Sequence, residues 1–122
     1  MIATILALAL TLWGVLPQVP ITPLFHNQET GQVASAVLLP DVCYIHIQQS
    51  WWNTETEAYR QSVILHEVGH CLGLPHFGDC NQTPSIMGCA GLGYVTPYDR
   101  LRLAMYQGRG YGVYVVVAAD GK

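Results

Sequence analysis

The stretch His66-Glu67-Val68-Gly69-His70-Cys71-Leu72-Gly73-Leu74-Pro75-His76 decides how the rest of the chain is read. As a helix up to about Leu72, it sets His66 and His70 one turn apart, about 40° around the axis. Two imidazoles at that spacing can grip one metal ion, with Glu67 beside them on the same rim. Gly73 lets the backbone leave the helix in a conformation that a side chain would oppose. The turn carries His76 back as a third nitrogen ligand. Three protein ligands leave the fourth position of tetrahedral zinc to water, the arrangement of a catalytic site, whereas closed structural sites take four. In that chemistry Glu67 is the general base.

Outward from this stretch, Thr54 with Glu57 three residues later predicts a capping box, and Glu55 adds acidity to the first turn. The helix is expected to run from there to about Leu72, with Ile64, Val68 and Cys71 on the face opposite His66 and His70. Trp51 and Trp52 are read as packing residues. Upstream, residues 32–39 and 42–48 are rich in β-formers and separated by the turn signal Pro40-Asp41, so an antiparallel pair is expected. His46 is read as a strand side chain, since a complete ligand set exists elsewhere. Downstream, residues 77–94 read as loop, with Ser85-Ile86-Met87 standing out. Thr96-Pro97-Tyr98-Asp99 predicts a second helix start, with Leu101, Ala104 and Met105 as its apolar face. Gly108-Arg109-Gly110 ends that helix. Residues 111–119 form a continuous β-prone run, expected as a strand that covers an edge of the sheet.

The chain has 122 residues, enough for one domain, and is 51% hydrophobic and 11% charged, which argues against disorder. A formal net charge of −3 with five Lys and Arg argues against a nucleic-acid partner. Residues 1–16 are apolar apart from two threonines, and as a helix would span roughly 24 Å. Residues 1–20 are therefore read as a signal peptide or an N-terminal membrane anchor, with membrane association through residues 1–16 under the second reading. Residues 17–23 read as a linker, and residues 24–122 as the functional domain. Either reading places that domain outside the cytoplasm, secreted or membrane-anchored. Four cysteines suit an oxidising compartment. Cys80 and Cys89 are close in sequence and are expected to pair, leaving Cys43 and Cys71 as a second pair or as buried thiols.

The full pattern H-E-x-x-H-x-x-G-x-x-H, followed by Ser85-Ile86-Met87-Gly88, is the metzincin signature with its methionine turn. On these residues the chain resembles a metzincin zinc metallopeptidase, most like the matrixin branch, over about residues 51–106. The Thr96-Pro97-Tyr98-Asp99 start and Tyr106 resemble the matrixin C-terminal helix, and the strand at 32–39 resembles the one along which matrixins lay out substrate. The resemblance implies an α+β fold: a minimal zincin-like domain with a small mixed sheet, an active-site helix and a C-terminal helix, truncated on its N-terminal side. It implies one catalytic Zn2+ on His66, His70 and His76, hydrolysis of a peptide or protein substrate through Glu67, and Met87 as an apolar floor beneath the imidazoles. Asp99 is expected either to brace the methionine turn or to serve as a helix cap, which explains it equally well, and Gly91-Leu92-Gly93-Tyr94 to border the pocket for the residue after the scissile bond. Phe77 stands where matrixins carry a small hydroxyl residue, and Cys89 where astacins and serralysins place a zinc-binding tyrosine. The Leu72-Gly73-Leu74-Pro75 run is also similar to snapalysin, whose third ligand is Asp where this chain has His76. The alternative to a peptidase is a catalytically inactive, zinc-stabilised binding module, or a fragment of a larger peptidase.

Overall fold

In the computed structural model, residues 2–27, 31–89, 91–107 and 116–120 are described, the last of these by backbone alone. The alternation in Ala34-Ser35-Ala36-Val37-Leu38 and in Cys43-Tyr44-Ile45-His46-Ile47-Gln48 produces two strands, β2 (Ala34–Leu38) and β3 (Cys43–Gln48). They pair antiparallel with Ala36 opposite Ile45. Ala34, Ala36, Cys43, Ile45 and Ile47 point to the buried face, each with 3% or less of its surface exposed. The expected pair is therefore present, trimmed by one or two residues at its ends.

Two further strands complete a mixed sheet in the order β1-β3-β2-β4. Strand β1 (Ile21–His26) runs parallel to β3, with Ile21 opposite Cys43 and His26 opposite Gln48. Residues 21–23 of the linker expected over residues 17–23 thus belong to this strand. Pro23 cannot donate a hydrogen bond, but an edge strand tolerates that loss, and β1 lies at the edge. At the other edge, β4 (Val116–Asp120) pairs antiparallel with β2. The strand expected within residues 111–119 thus joins the sheet at 116–120, and residues 111–115 lie outside the described residues.

Against the sheet lies helix α3 (Glu57–Cys71), preceded by the short α2 (Gln49–Thr54). Its cap differs from expectation. Thr56, not Thr54, accepts a hydrogen bond from the Tyr59 amide (3.2 Å). The Thr54 hydroxyl instead bonds back to the Ser50 and Trp51 carbonyls as the last residue of α2. Glu55, in the break between the helices, accepts from the Thr56 amide and the Trp51 indole. Ile64, Leu65 and Val68 are buried with Ala36, Ile45 and Trp52 in one core.

The N-terminal apolar run forms α1 (Ile2–Trp13), which packs on α3. Ile5, Ala9 and Trp13 are at most 4% exposed. The Trp13 indole donates to the Leu65 carbonyl (2.9 Å), and Arg100 donates to the Leu12 and Trp13 carbonyls that end the helix. No described helix is long and apolar enough to cross a membrane.

The last helix, α4 (Pro97–Gln107), starts where expected, with Thr96 accepting from the Asp99 amide (3.1 Å). Its buried side is not the one expected: Leu101 and Met105 are 57% and 48% exposed, while Leu103 and Asp99 are buried. The orientation follows from Asp99, whose carboxylate is drawn into a cage of donors and rotates Leu101 outward. Both pairings of cysteines are settled: Cys80 bonds Cys89, as expected, and Cys43 bonds Cys71. Two disulfides fit an oxidising, extracellular environment.

Candidate metal centre

Helix α3 ends in a tight reversal that brings the third histidine round. Gly73 adopts φ +94°, open to glycine and opposed by a side chain. The Gly73 amide donates to the His70 carbonyl (2.9 Å) and the Leu74 amide to the Gly69 carbonyl (3.1 Å), the paired bonds of a Schellman cap. Leu74 is fully buried, which anchors the reversal. Pro75 and His76 then pass back over the helix end.

The outcome is a triangle of imidazole nitrogens. The Nε2 atoms lie 3.1 Å apart for His66 and His70, 3.2 Å for His66 and His76, and 3.3 Å for His70 and His76. Ligands at about 2.0–2.1 Å from a tetrahedral ion are separated by roughly 3.3 Å, so the triangle fits one ion of zinc's size. Two of the rings are held from behind. His66 Nδ1 donates to the Ile86 carbonyl (2.7 Å) and His70 Nδ1 to the Leu74 carbonyl (2.7 Å). With its proton committed on Nδ1, each ring presents a bare Nε2 lone pair to the centre. Two such lone pairs converging at 3.1 Å without a cation would repel, so the donor set favours a bound metal ion. His66, His70 and His76 could hold one, and among the described residues no fourth histidine, cysteine or carboxylate joins them.

Below the triangle, Gly69 gives the room. A Cβ there would collide with Met87 Sδ and come within 2.9 Å of Trp13 Cζ2. Met87 is fully buried against this bare stretch of helix. The turn that carries Met87 is fixed by Asp99. Its Oδ1 accepts from Ser85 Oγ (2.6 Å), and its Oδ2 from the amides of Ile86 (3.0 Å) and Thr96 (2.9 Å). Ser85 Oγ in turn accepts from the Met87 amide (2.9 Å). Asp99 is therefore both helix cap and brace. The chain of contacts runs from its carboxylate through Ile86 to the His66 ring.

A cavity of about 520 Å3 opens beside the centre, with His66 and His76 on its wall together with Tyr59, Val63, Ile86 and Gly91. Of the Gly91-Leu92-Gly93-Tyr94 stretch, Gly91 reaches this wall. Glu67, next to the first ligand, is 0% exposed. Phe77 packs edge-on to Tyr98 (5.6 Å), and the Arg102 guanidinium sits 4.7 Å from its ring, so the bulky residue after His76 ties the ligand loop to α4. Asp79 organises the following loop by accepting from the Asn81 and Thr83 amides, and the bonds to Thr83 and Asn81 hold its carboxyl below the usual carboxylate range.

His46 stays outside the centre, as expected. It pairs with His26 across β1 and β3, Nε2 to Nδ1 at 2.7 Å, closer than two ligands of one ion would sit. Burial, and then the neighbouring His26, lower its pKa below 6.5. The groups not foreseen are Trp13 and the Ile86 and Leu74 carbonyls. The carbonyls carry no residue-type signal. No protein-family model, curated protein or solved structure matches this chain.

Proposed function

We propose that the chain is a zinc-dependent endopeptidase of the metzincin class, matrixin-like in its site. The reading is carried by the triangle of three Nε2 atoms, 3.1–3.3 Å apart, with Glu67 one residue past the first ligand. Three neutral imidazoles suit zinc, and three ligands in place of four leave a position for chemistry. The cavity beside them, at about 520 Å3, is of the size that takes a substrate side chain.

A zinc ion held here supplies Lewis acidity, making water nucleophilic near neutral pH and polarising the scissile carbonyl. Glu67 takes the proton from the attacking water and delivers it to the departing amine. The Ile86 and Leu74 carbonyls hold His66 and His70 in the tautomer that leaves Nε2 free to bind. The cavity wall orients the substrate side chain next to the bond to be cut.

The test is hydrolysis of a broad peptide library by the full chain, with and without a chelator. Glu67→Ala should lower cleavage by about 100- to 10,000-fold while one zinc per chain remains bound. A zinc-loaded wild-type chain that cuts nothing in the library would overturn the peptidase reading and leave a zinc-stabilised binding module.

A further inference from the structure

Four residues of α3, Tyr59, Ser62, Val63 and His66, follow one another at helical spacing along the wall of the cavity beside the metal centre. Ser62 stands one turn before the first ligand, about 6 Å along the axis. It is 1% exposed, and its hydroxyl has no hydrogen-bond partner among the described residues. A serine inside a helix commonly bonds back to the carbonyl four residues earlier, and here it does not. A buried polar group left unpaired is costly and uncommon, so this one calls for a reason.

The remaining wall decides what the hydroxyl meets. Phe77, Ile86 and Met87 are apolar, glycines add bare backbone, and no Asp, Glu, Lys or Arg lines the cavity among the described residues. The other hydroxyl there, on Tyr59, belongs to a half-buried side chain, whereas Ser62 is enclosed. We propose that Ser62 selects the substrate side chain entering this cavity, a long and uncharged one with a hydrogen-bonding tip: glutamine or tyrosine. This rests on the peptidase reading and names the side chain that its cavity takes. The distance from the first ligand sets the length, since serine, threonine and asparagine fall short of a full helix turn. A charged tip would lose its water and find no counter-charge. An amide or a phenol suits a hydroxyl that both donates and accepts. Serine turns about one bond, so it meets the tip without moving the helix. Its desolvation is already incurred in folding, so a bond formed on binding lies at the upper end of the usual range, about tenfold in affinity.

The test compares the full chain with Ser62→Ala on peptides that differ only in the residue after the scissile bond. Two matched pairs are used, tyrosine against phenylalanine and glutamine against methionine. One readout is kcat/KM. The other is binding of the same labelled peptides, by anisotropy, to zinc-loaded Glu67→Ala chains with and without Ser62→Ala. The polar member should be preferred about tenfold by the wild type in at least one pair, and the preference should fall to about one in Ser62→Ala. Ratios near one in both pairs, or ratios that Ser62→Ala leaves unchanged, would overturn the proposal while leaving the peptidase intact. A preference in binding that depends on Ser62, without cleavage of any peptide, would uphold the residue's role and sink the peptidase reading. The Tm of metal-free Ser62→Ala should equal or exceed that of the wild type, since alanine removes an unpaired hydroxyl and favours the helix. A lower Tm would overturn the proposal, because the hydroxyl would then be engaged within the fold.

Discussion

Asp99 is the residue through which α4 acts on the metal centre, and its removal should be felt in two separate measurements. Its carboxylate is fully buried and accepts from Ser85 Oγ and from the amides of Ile86 and Thr96. Hydrogen bonds to a charged group contribute roughly 1.5–3 kcal/mol each and neutral ones about 1 kcal/mol. Asp99→Asn keeps an oxygen for the two amides and loses the charge, so the loss should be about 2 kcal/mol. Asp99→Ala strands two buried amides and the Ser85 hydroxyl, each costing about 1–3 kcal/mol, for a loss of about 4 kcal/mol or more. Urea unfolding of the metal-free, disulfide-bonded chain measures this step. The second measurement is zinc affinity by competition with a chromophoric chelator. Ile86 is bonded to Asp99 through its amide and to His66 through its carbonyl, so loosening one end releases the ring at the other. Loss of such an outer partner lowers metal affinity by about 10- to 100-fold. An alanine variant no less stable than the asparagine one, with zinc affinity unchanged in both, would refute the brace.

Gly69→Ala sets helix propensity against packing. Alanine gains about 1 kcal/mol in a helix, but its Cβ would strike Met87 Sδ and crowd Trp13 Cζ2 at 2.9 Å. Overpacking typically costs about 1–3 kcal/mol, so the Tm of the zinc-free chain should fall, and a rise would show that the floor beneath the histidines is not closely packed. His46 should make stability depend on pH. Its pKa is lowered by burial and by His26, so the unfolded chain takes up the proton first and stability rises with pH across that window. The contribution is fully present above the unfolded value and is lost as pH falls through the folded one. Denaturation midpoints measured from about pH 5 to pH 8 should therefore slope less for His46→Gln than for the wild type; identical slopes would assign the dependence to other groups.

What could be read from the residues was whatever depends on short-range rules. His66, His70, Gly73 and His76 are fixed by helix period and one left-handed turn, and the structure brings the three rings together. Thr96, Pro97 and Asp99 announce a helix start by local hydrogen bonding, and that start is in place. What escaped depends on partners far along the chain. The stretch from Ile21 to His26 contains a proline and no alternation, and it becomes a strand only because β3 offers it a parallel edge. The N-terminal run also packs as a helix against α3, a contact that no local rule foretells. Thr54 and Thr56 are equally good caps in isolation; the break at Glu55, held by Trp51, chooses between them. The outward turn of Leu101 and Met105 is set by the buried charge of Asp99, which outweighs two exposed apolar side chains.

The two disulfides bear on how the chain could take up and release a metal ion at the three histidines. Cys71 follows His70 directly, while Cys80 and Cys89 lie on either side of the Ser85-Ile86-Met87-Gly88 turn. Closing separations of 28 and 9 residues in advance removes search entropy from the unfolded chain, about 3.6 and about 2.6 kcal/mol on a loop-closure count. Small zinc domains without such links are unfolded when metal-free, because the ion has to supply the ordering itself. Here the ordering is already covalent, and the ion's binding energy need not be spent on it. Stripping the metal should therefore leave an assembled, empty socket that refills without refolding.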